Sequence, residues 1–313
     1  MTQSVLDFMR DFTKSCNSLK PIDNNTRILD IGCNDGSLLS IFKELYGCHT
    51  TGVDPTGAIQ DAKGRIDSDI NGFFDINLAK RLSESGYKAD FITFTNVFAH
   101  IEGLEDLCQA LKLVASKDCI IAIENHYLGE ILRKNQFDTF YHEHPRTYSA
   151  KSFEYVAKQL DRKLLKIEFS ARYGGNIRAF IGSQDLDTNH EMPDESDFRS
   201  SFVRMNKSLE IWKTKAKNLV DDLVRENGNK PIVAKAFPGR AAILLELLNL
   251  NSDHISAIYE IKGSIKTGHY APGTRIPIRP EAELFESGYN GPILNLAWHL
   301  SNEVRNNLLN NFN

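Results

Sequence analysis

The fold is decided by the stretch Arg27-Ile-Leu-Asp-Ile-Gly-Cys-Asn-Asp-Gly-Ser-Leu-Leu39. It starts with a short apolar run, Arg27–Ile31, which is typical of a buried strand. Two glycines follow, and then the segment Ser37–Leu45 carries Leu, Ile and Phe at helical spacing. A strand that passes through a glycine turn into a helix is typical of the first unit of a parallel α/β sheet.

The same alternation continues along the chain. Two edge segments, Lys163–Phe169 and Asn176–Gly182, are separated by too few residues for a helix, so they are predicted to be antiparallel neighbours. The fold class is therefore α/β, a doubly wound sheet with an antiparallel edge strand. The other predicted strands are Thr50–Val53, Asp90–Thr95 and Asp118–Glu124, and the other predicted helices are Asn77–Ser85 and Leu104–Ala115.

The chain divides into three parts. Residues 1–185 form the first domain, and residues 186–228 form a polar linker followed by a long amphipathic helix around Trp212. Residues 229–313 form a second, smaller α/β domain, with strands at Pro231–Lys235 and Ile255–Tyr259, a helix at Arg240–Asn249 and a final strand–helix pair at 292–309.

Composition excludes several classes of function. Of 313 residues, 25% are charged and the net charge is −4, so no basic excess favours nucleic acid. No apolar run approaches the roughly 20 residues of a membrane span, and the N-terminus lacks a signal-peptide pattern. The five cysteines contain no C-x-x-C pair, which excludes the usual zinc ribbon and a disulfide framework. We expect a cytoplasmic protein.

The glycine turn indicates the class of cofactor. Its spacing, Gly32 to Gly36, is G-x-x-x-G and differs from the G-x-G-x-x-G of dinucleotide sites. Asp30 and Asp35 would repel a pyrophosphate but suit a ligand with a sulfonium and an ammonium group, such as S-adenosylmethionine. Asp54 ends the second strand, where an acidic side chain holds ribose hydroxyls. A nicotinamide cofactor and a purely structural glycine turn remain as alternatives.

A second unusual feature is the segment Phe137–Arg146, which contains Tyr141-His-Glu-His144. With His100, after the strand Asp90–Thr95, it brings several proton-exchanging side chains toward one sheet edge. Two alternatives stay open. The His142-x-His144 pair could bind a metal, although it lacks a third ligand and is not H-E-x-x-H, and the histidines could be structural.

Several blocks resemble those of bacterial sugar C-methyltransferases that act on nucleotide-linked 4-keto-deoxysugars. The resemblance implies a class I methyltransferase domain and a smaller Rossmann-like C-terminal domain. The blocks occur in the same order as in that family and lie at Asp30–Leu39, Gly52–Pro55, Asn96–Ile101, Phe137–His144, Gly174–Arg178 and Lys266–Ile278.

The resemblance also implies roles for individual residues. His144 would be the base, with Tyr141, His100, Glu143 and His142 in the catalytic pocket. No metal is expected. The cofactor site would comprise Asp30, Gly32, Asn34, Gly36, Asp54, Pro55 and Asn96. Separately, we expect substrate contacts from Lys266 and His269, for which a surface loop is the alternative, and from Tyr173 and Asn176, for which a hairpin turn is the alternative.

The predicted function is therefore methyl transfer from S-adenosylmethionine to a carbon beside a ketone, in carbohydrate biosynthesis. The family normally begins with a cysteine-rich zinc module, which we expect this chain to lack. Two alternatives follow: methylation of oxygen or nitrogen on a modified sugar, and a cofactor-binding subunit whose partner replaces that module. The expected small-molecule partner is a nucleotide-sugar.

Overall fold

The computed structural model describes residues 3–187 and 191–312. Residues 188–190 of the predicted linker lie outside this described part. The strands are β1 (Arg27–Ile31), β2 (His49–Asp54), β3 (Ser68–Asn71), β4 (Ala89–Thr95), β5 (Ala115–His126), β6 (Lys163–Ser170), β7 (Asn176–Gly182), β8 (Ile232–Lys235), β9 (Ile255–Glu260), β10 (Ile278–Pro280) and β11 (Ile293–Asn295). The helices are α1 (Gln3–Leu19), α2 (Ser37–Tyr46), α3 (Ile76–Glu84), α4 (Leu104–Val114), α5 (Leu128–Arg133), α6 (Ala150–Gln159), α7 (Phe198–Glu226), α8 (Ala241–Leu247), α9 (Glu281–Glu286) and α10 (Ser301–Asn311).

A seven-stranded sheet organises the first part of the chain, in the order β3-β2-β1-β4-β5-β7-β6. Strands β1 to β5 run parallel, and β7 lies antiparallel between β5 and β6. The predicted doubly wound sheet with antiparallel pairing at one edge is confirmed; the antiparallel strand is β7, and β6 is the edge strand. The order reverses between β1 and β4, which places a crevice at the carboxyl ends of those two strands.

One face of this sheet is covered by α1 and α2. Their apolar side chains form one buried cluster with side chains of β1, β4, β5 and β7, in which the rings of Phe12 and Phe180 stack at 6.3 Å. Helix α1 was not predicted from the sequence. It packs on the face of the sheet beside the crevice. All five cysteines fall within the described residues, where each is buried and none forms a disulfide.

A second sheet of four parallel strands, in the order β10-β9-β8-β11, organises the C-terminal part. The long helix α7 packs against its core through Trp212 and Val220. Strand β10 and helix α9 were not predicted, because each is too short to show a period.

Within the described residues the chain forms two compact units that differ from the predicted division. One comprises Met1–Ile131 and His142–Asp197, and the other Leu132–Tyr141 and Phe198–Asn313. The segment Leu132–Tyr141 packs with the second unit because the Phe137 ring lies 4.8 Å from the Trp212 ring. Among the described residues, no helix has the length and apolar character needed to cross a membrane.

Candidate active site

A cavity of about 430 Å³ lies at the carboxyl ends of β1, β2 and β4 in the first unit. It occupies the crevice where ligands of doubly wound sheets bind. Of the seven residues predicted for the cofactor site, Gly36 and Pro55 do not line this cavity. Gly36 instead precedes α2 as its N-terminal cap, and Pro55 is exposed. The five that do line it are Asp30, Gly32, Asn34, Asp54 and Asn96.

Gly32 is required by the turn after β1. Its φ of +76° is left-handed, which glycine adopts without the steric cost of a side chain. A Cβ at this position would lie 2.3 Å from Cγ2 of Val97, in the loop after β4. The absence of a side chain therefore lets the two loops that border the cavity approach each other.

Asp54, the last residue of β2, is held in one orientation by three hydrogen bonds. Its Oδ2 accepts from the Asn34 backbone N–H at 2.9 Å, and its Oδ1 accepts from the backbone N–H and hydroxyl of Thr56 at 2.8 and 2.6 Å. The carboxylate ties the glycine turn to the end of β2. It presents a fixed acceptor to the cavity, which suits a ribose hydroxyl.

Asp30 is the most deeply buried acid of the cavity, with 1% of its surface exposed. The Thr93 hydroxyl donates to its Oδ1 at 2.7 Å, and no basic side chain among the described residues forms an ion pair with it. Burial, with a smaller contribution from the nearby Asp54, raises the pKa of Asp30 to about 7. A cationic group in the cavity would stabilise the ionised carboxylate.

The opposite charge is supplied by Arg172, which also lines the cavity. Its Nη1 lies 3.0 Å from the carboxylate of Glu124, while its buried Nε has no hydrogen-bond partner within the described residues. The cavity thus offers acids for cations and an arginine for a carboxylate. This set fits the sulfonium, ammonium and carboxylate groups of S-adenosylmethionine.

A buried polar network supports this wall of the cavity. Glu124, fully buried in β5, accepts from Nε of Arg178 at 2.6 Å and from Nδ2 of Asn176 at 3.2 Å. The same Asn176 amide donates to Oδ1 of Asn96 at 3.0 Å, and the Asn96 N–H donates to the Glu124 carbonyl at 2.8 Å. Asn96 has φ of +57°. The network therefore holds a left-handed residue of the cavity in place.

Three histidines meet beside the cavity. His100, which lines it, lies in the turn after β4, and its ring centroid is 4.7 Å from that of His144. His126, the last residue of β5, lies 5.5 Å from His144 and 6.1 Å from the ring of Tyr173. Sequence reasoning missed His126 because the predicted strand ended at Glu124. Its position at a strand's carboxyl end was the available signal.

The segment that carries His144 is held in place at Arg146, two residues further along the chain. Nη1 of Arg146 donates to the carbonyls of Ile101 and Glu102, at 2.7 and 2.6 Å, in the loop after β4. His142 and Glu143 are exposed on this segment, whereas His144 is half-buried. Of the five predicted catalytic residues, the structure thus brings His144 and His100 into contact.

The remaining predicted residues lie in different places. Tyr173 lines the cavity and Asn176 belongs to the buried network, both in the first unit. Tyr141, Lys266 and His269 belong to the second unit. Nζ of Lys266 donates to the Phe237 carbonyl at 2.5 Å, and the side chain of His269 is exposed.

Within residues 3–187 and 191–312, no three or more His, Cys, Asp or Glu side chains are grouped so that they could hold a metal ion.

Comparisons with known proteins agree with this geometry. The family model described as a methyltransferase domain matches residues 6–166, and the model described as a C-methyltransferase C-terminal domain matches residues 173–311. The C-methyltransferase NovU of Streptomyces niveus is 23% identical over 97% of this chain and 74% of its own length.

Solved structures with a similar fold include other methyltransferases. One is a SAM-dependent methyltransferase from Archaeoglobus fulgidus, 17% identical, covering 64% of this chain and 86% of its own, with a TM-score of 0.43. Another is the magnesium protoporphyrin IX methyltransferase of Synechocystis, 14% identical, covering 58% of this chain and 83% of its own, with a TM-score of 0.41. Both TM-scores are below 0.5, so these two structures carry no argument about this chain. The fold is identified instead by the strand order and register of the seven-stranded sheet.

The family match spans just over half of the chain, and it includes the glycine turn, Asp54 and the loop after β4. The predicted cofactor and enzyme class are both confirmed. The chain belongs to the methyltransferase-domain family and is an enzyme that uses S-adenosyl-L-methionine.

Proposed function

We propose that this enzyme methylates a carbon atom next to the ketone of a nucleotide-linked deoxysugar. The observation that carries the proposal is the contact between His144 and His100 at the edge of the cofactor cavity. Supporting it are the match to a C-methyltransferase C-terminal domain and the similarity to NovU.

Carbon methylation beside a ketone requires a base for the α-proton and a donor for the oxyanion that forms. His144 takes the proton, because an imidazole exchanges protons near neutral pH and this ring is half-buried beside the cavity. His100 donates a hydrogen bond to the developing oxyanion. S-adenosylmethionine supplies the methyl group, and Asp30, Asp54 and Arg172 hold it in orientation.

Other predicted residues receive supporting roles in this proposal. His142 and Glu143, which are exposed in the first unit, border the entrance for the sugar. Tyr173, which lines the cofactor cavity 6.1 Å from the His126 ring, contacts the substrate, while Asn176 acts indirectly by holding Asn96.

The experiment is a mass-spectrometric screen of nucleotide-linked keto-sugars with S-adenosylmethionine. It looks for the gain of one methyl group and, with substrate deuterated at the α-carbon, for the loss of one deuteron. Carbon methylation replaces one α-hydrogen with the methyl group, whereas methylation of oxygen or nitrogen leaves the α-hydrogens in place. A methylated product that retains all of its α-deuterium would contradict the proposal and favour those alternatives.

Replacing the base gives a sharper test. We expect His144→Gln to lower kcat by about 10²–10⁴-fold and to leave cofactor affinity nearly unchanged. The matched control is His49→Gln, because His49 is exposed at the first residue of β2, the opposite end of the strand from the cavity. An equal loss of cofactor affinity in the His144 variant would instead indicate a structural histidine.

A further inference from the structure

A second cavity, of about 390 Å³, lies within the second unit between the segment 132–141 and helices α7 and α8. Its volume falls in the range of about 300–1,000 Å³ that is typical of small-molecule sites. The residues assigned above to the methylation site do not line it. Its walls are mainly apolar, and Leu244 of α8 forms part of them.

Aromatic rings form much of this cavity. The chain has two tryptophans, Trp212 and Trp298, and both line it. Phe137 adds a third ring, whose centroid lies 4.8 Å from that of Trp212 at an interplanar angle of 52°. Aromatic faces of this kind bind planar rings by stacking.

A buried carboxylate provides the polar group. Asp138 lines the cavity with 2% of its surface exposed and forms an ion pair with Arg240. Trp298 donates its indole N–H to Oδ2 of Asp138 at 2.7 Å, and Arg240 lies 3.4 Å from the same oxygen. Among the described residues no donor reaches Oδ1, so that oxygen can accept from a ligand.

We propose that this cavity binds a nucleobase. A planar nitrogen heterocycle would stack on the tryptophan faces and donate an N–H to Oδ1 of Asp138. A purely apolar ligand would leave that carboxylate oxygen desolvated and unpaired, at a cost in affinity. The inference stands on the second unit alone and holds whether or not the proposed methylation is correct.

The two tryptophans make the test direct, because the intrinsic tryptophan fluorescence comes only from this cavity. The full chain is titrated with adenosine, guanosine and cytidine in the absence of S-adenosylhomocysteine, because the adenine of that compound could enter either cavity. The comparison probe is caffeine, a planar purine with no N–H donor. We expect saturable fluorescence changes with at least one nucleoside, and binding of caffeine at least about tenfold weaker.

A variant that fills the cavity locates the binding. We expect Ser208→Phe, on the cavity side of α7, to weaken nucleoside binding at least about tenfold. The matched control is Thr214→Phe, on the same helix at an exposed position outside the lining, which should bind as the wild type does. Circular dichroism checks that both variants fold.

Three results would overturn the inference. They are the absence of a saturable signal for all three nucleosides, equal binding of caffeine, and full binding by folded Ser208→Phe. Methyl transfer to nucleotide-linked keto-sugars is measured in a separate assay, so a failure of the nucleobase site and a failure of the proposed methylation remain distinguishable.

Discussion

The buried carboxylate of Asp30 gives the stability of the ligand-free enzyme a pH dependence that can be worked out from the structure. Burial raises its pKa from 3.8 to about 7. Between these values the unfolded chain has lost the proton that the folded chain still holds, so raising the pH favours unfolding. The free energy of unfolding should therefore fall from about pH 4 to about pH 7, by roughly 1.4 kcal/mol per pH unit and about 4 kcal/mol in total.

The substitution Asp30→Asn isolates this contribution. Asparagine keeps an oxygen that can accept from Thr93 at the same position, and it removes the charge. We expect the variant to gain stability relative to wild type as the pH rises, with a difference that grows by about 4 kcal/mol between pH 4 and pH 8. The measurement is urea denaturation at a series of pH values without cofactor. Asp61→Asn, at an exposed position, is the matched control.

The same substitution should weaken the cofactor. A charge-assisted contact contributes about 1.5–3 kcal/mol, so we expect S-adenosylmethionine to bind about 10- to 150-fold more weakly to Asp30→Asn. In the wild type, binding should tighten as the pH rises toward 7, because Asp30 then ionises. A variant whose stability difference is flat across this range, or whose cofactor affinity is unchanged, would refute the role assigned to this carboxylate.

Three further outcomes follow from the geometry. Gly32→Ala should destabilise the enzyme by at least about 1–2 kcal/mol and abolish cofactor binding, since its φ is +76° and its Cβ would meet Val97; urea denaturation with and without S-adenosylhomocysteine measures both. Arg178→Met should cost about 3–5 kcal/mol in the free energy of unfolding because it leaves the Glu124 carboxylate short of its partner, and adding Glu124→Gln should recover part of the loss. His126→Gln should lower kcat about tenfold or more with the cofactor Kd unchanged, and parallel losses in both would indicate a structural role.

The arrangement of the first sheet could be predicted because its strands are buried runs bounded by glycine and because parallel strands require helical crossovers. The turn at Gly32 and the acid Asp54 could be located from the same pattern, since both follow strands directly. Short elements escaped prediction. Strand β3 has four residues and β10 has three, too few to establish a period.

The group of three histidines beside the cavity could be predicted only in part. The positions of His100 and His144 after strands pointed to one sheet edge, but the third member, His126, depends on β5 continuing two residues beyond its apolar run. The membership of Leu132–Tyr141 in the second unit could not be predicted, because it arises from contacts such as Phe137 with Trp212 that are distant in sequence. Long-range packing of this kind leaves no local pattern.

The antiparallel strands β6 and β7 form a hairpin at the sheet edge, and one buried acid couples this hairpin to the cofactor cavity. Glu124 pairs with Arg178 on β7 and with Arg172 in the turn before it, and its backbone carbonyl holds Asn96 beside the cavity. A buried carboxylate without these partners would cost several kcal/mol, so the acid fixes the hairpin to β5. The hairpin in turn places Tyr173 next to His126. The antiparallel edge therefore does more than complete the sheet, because it orients one wall of the cofactor cavity and the neighbouring histidines together.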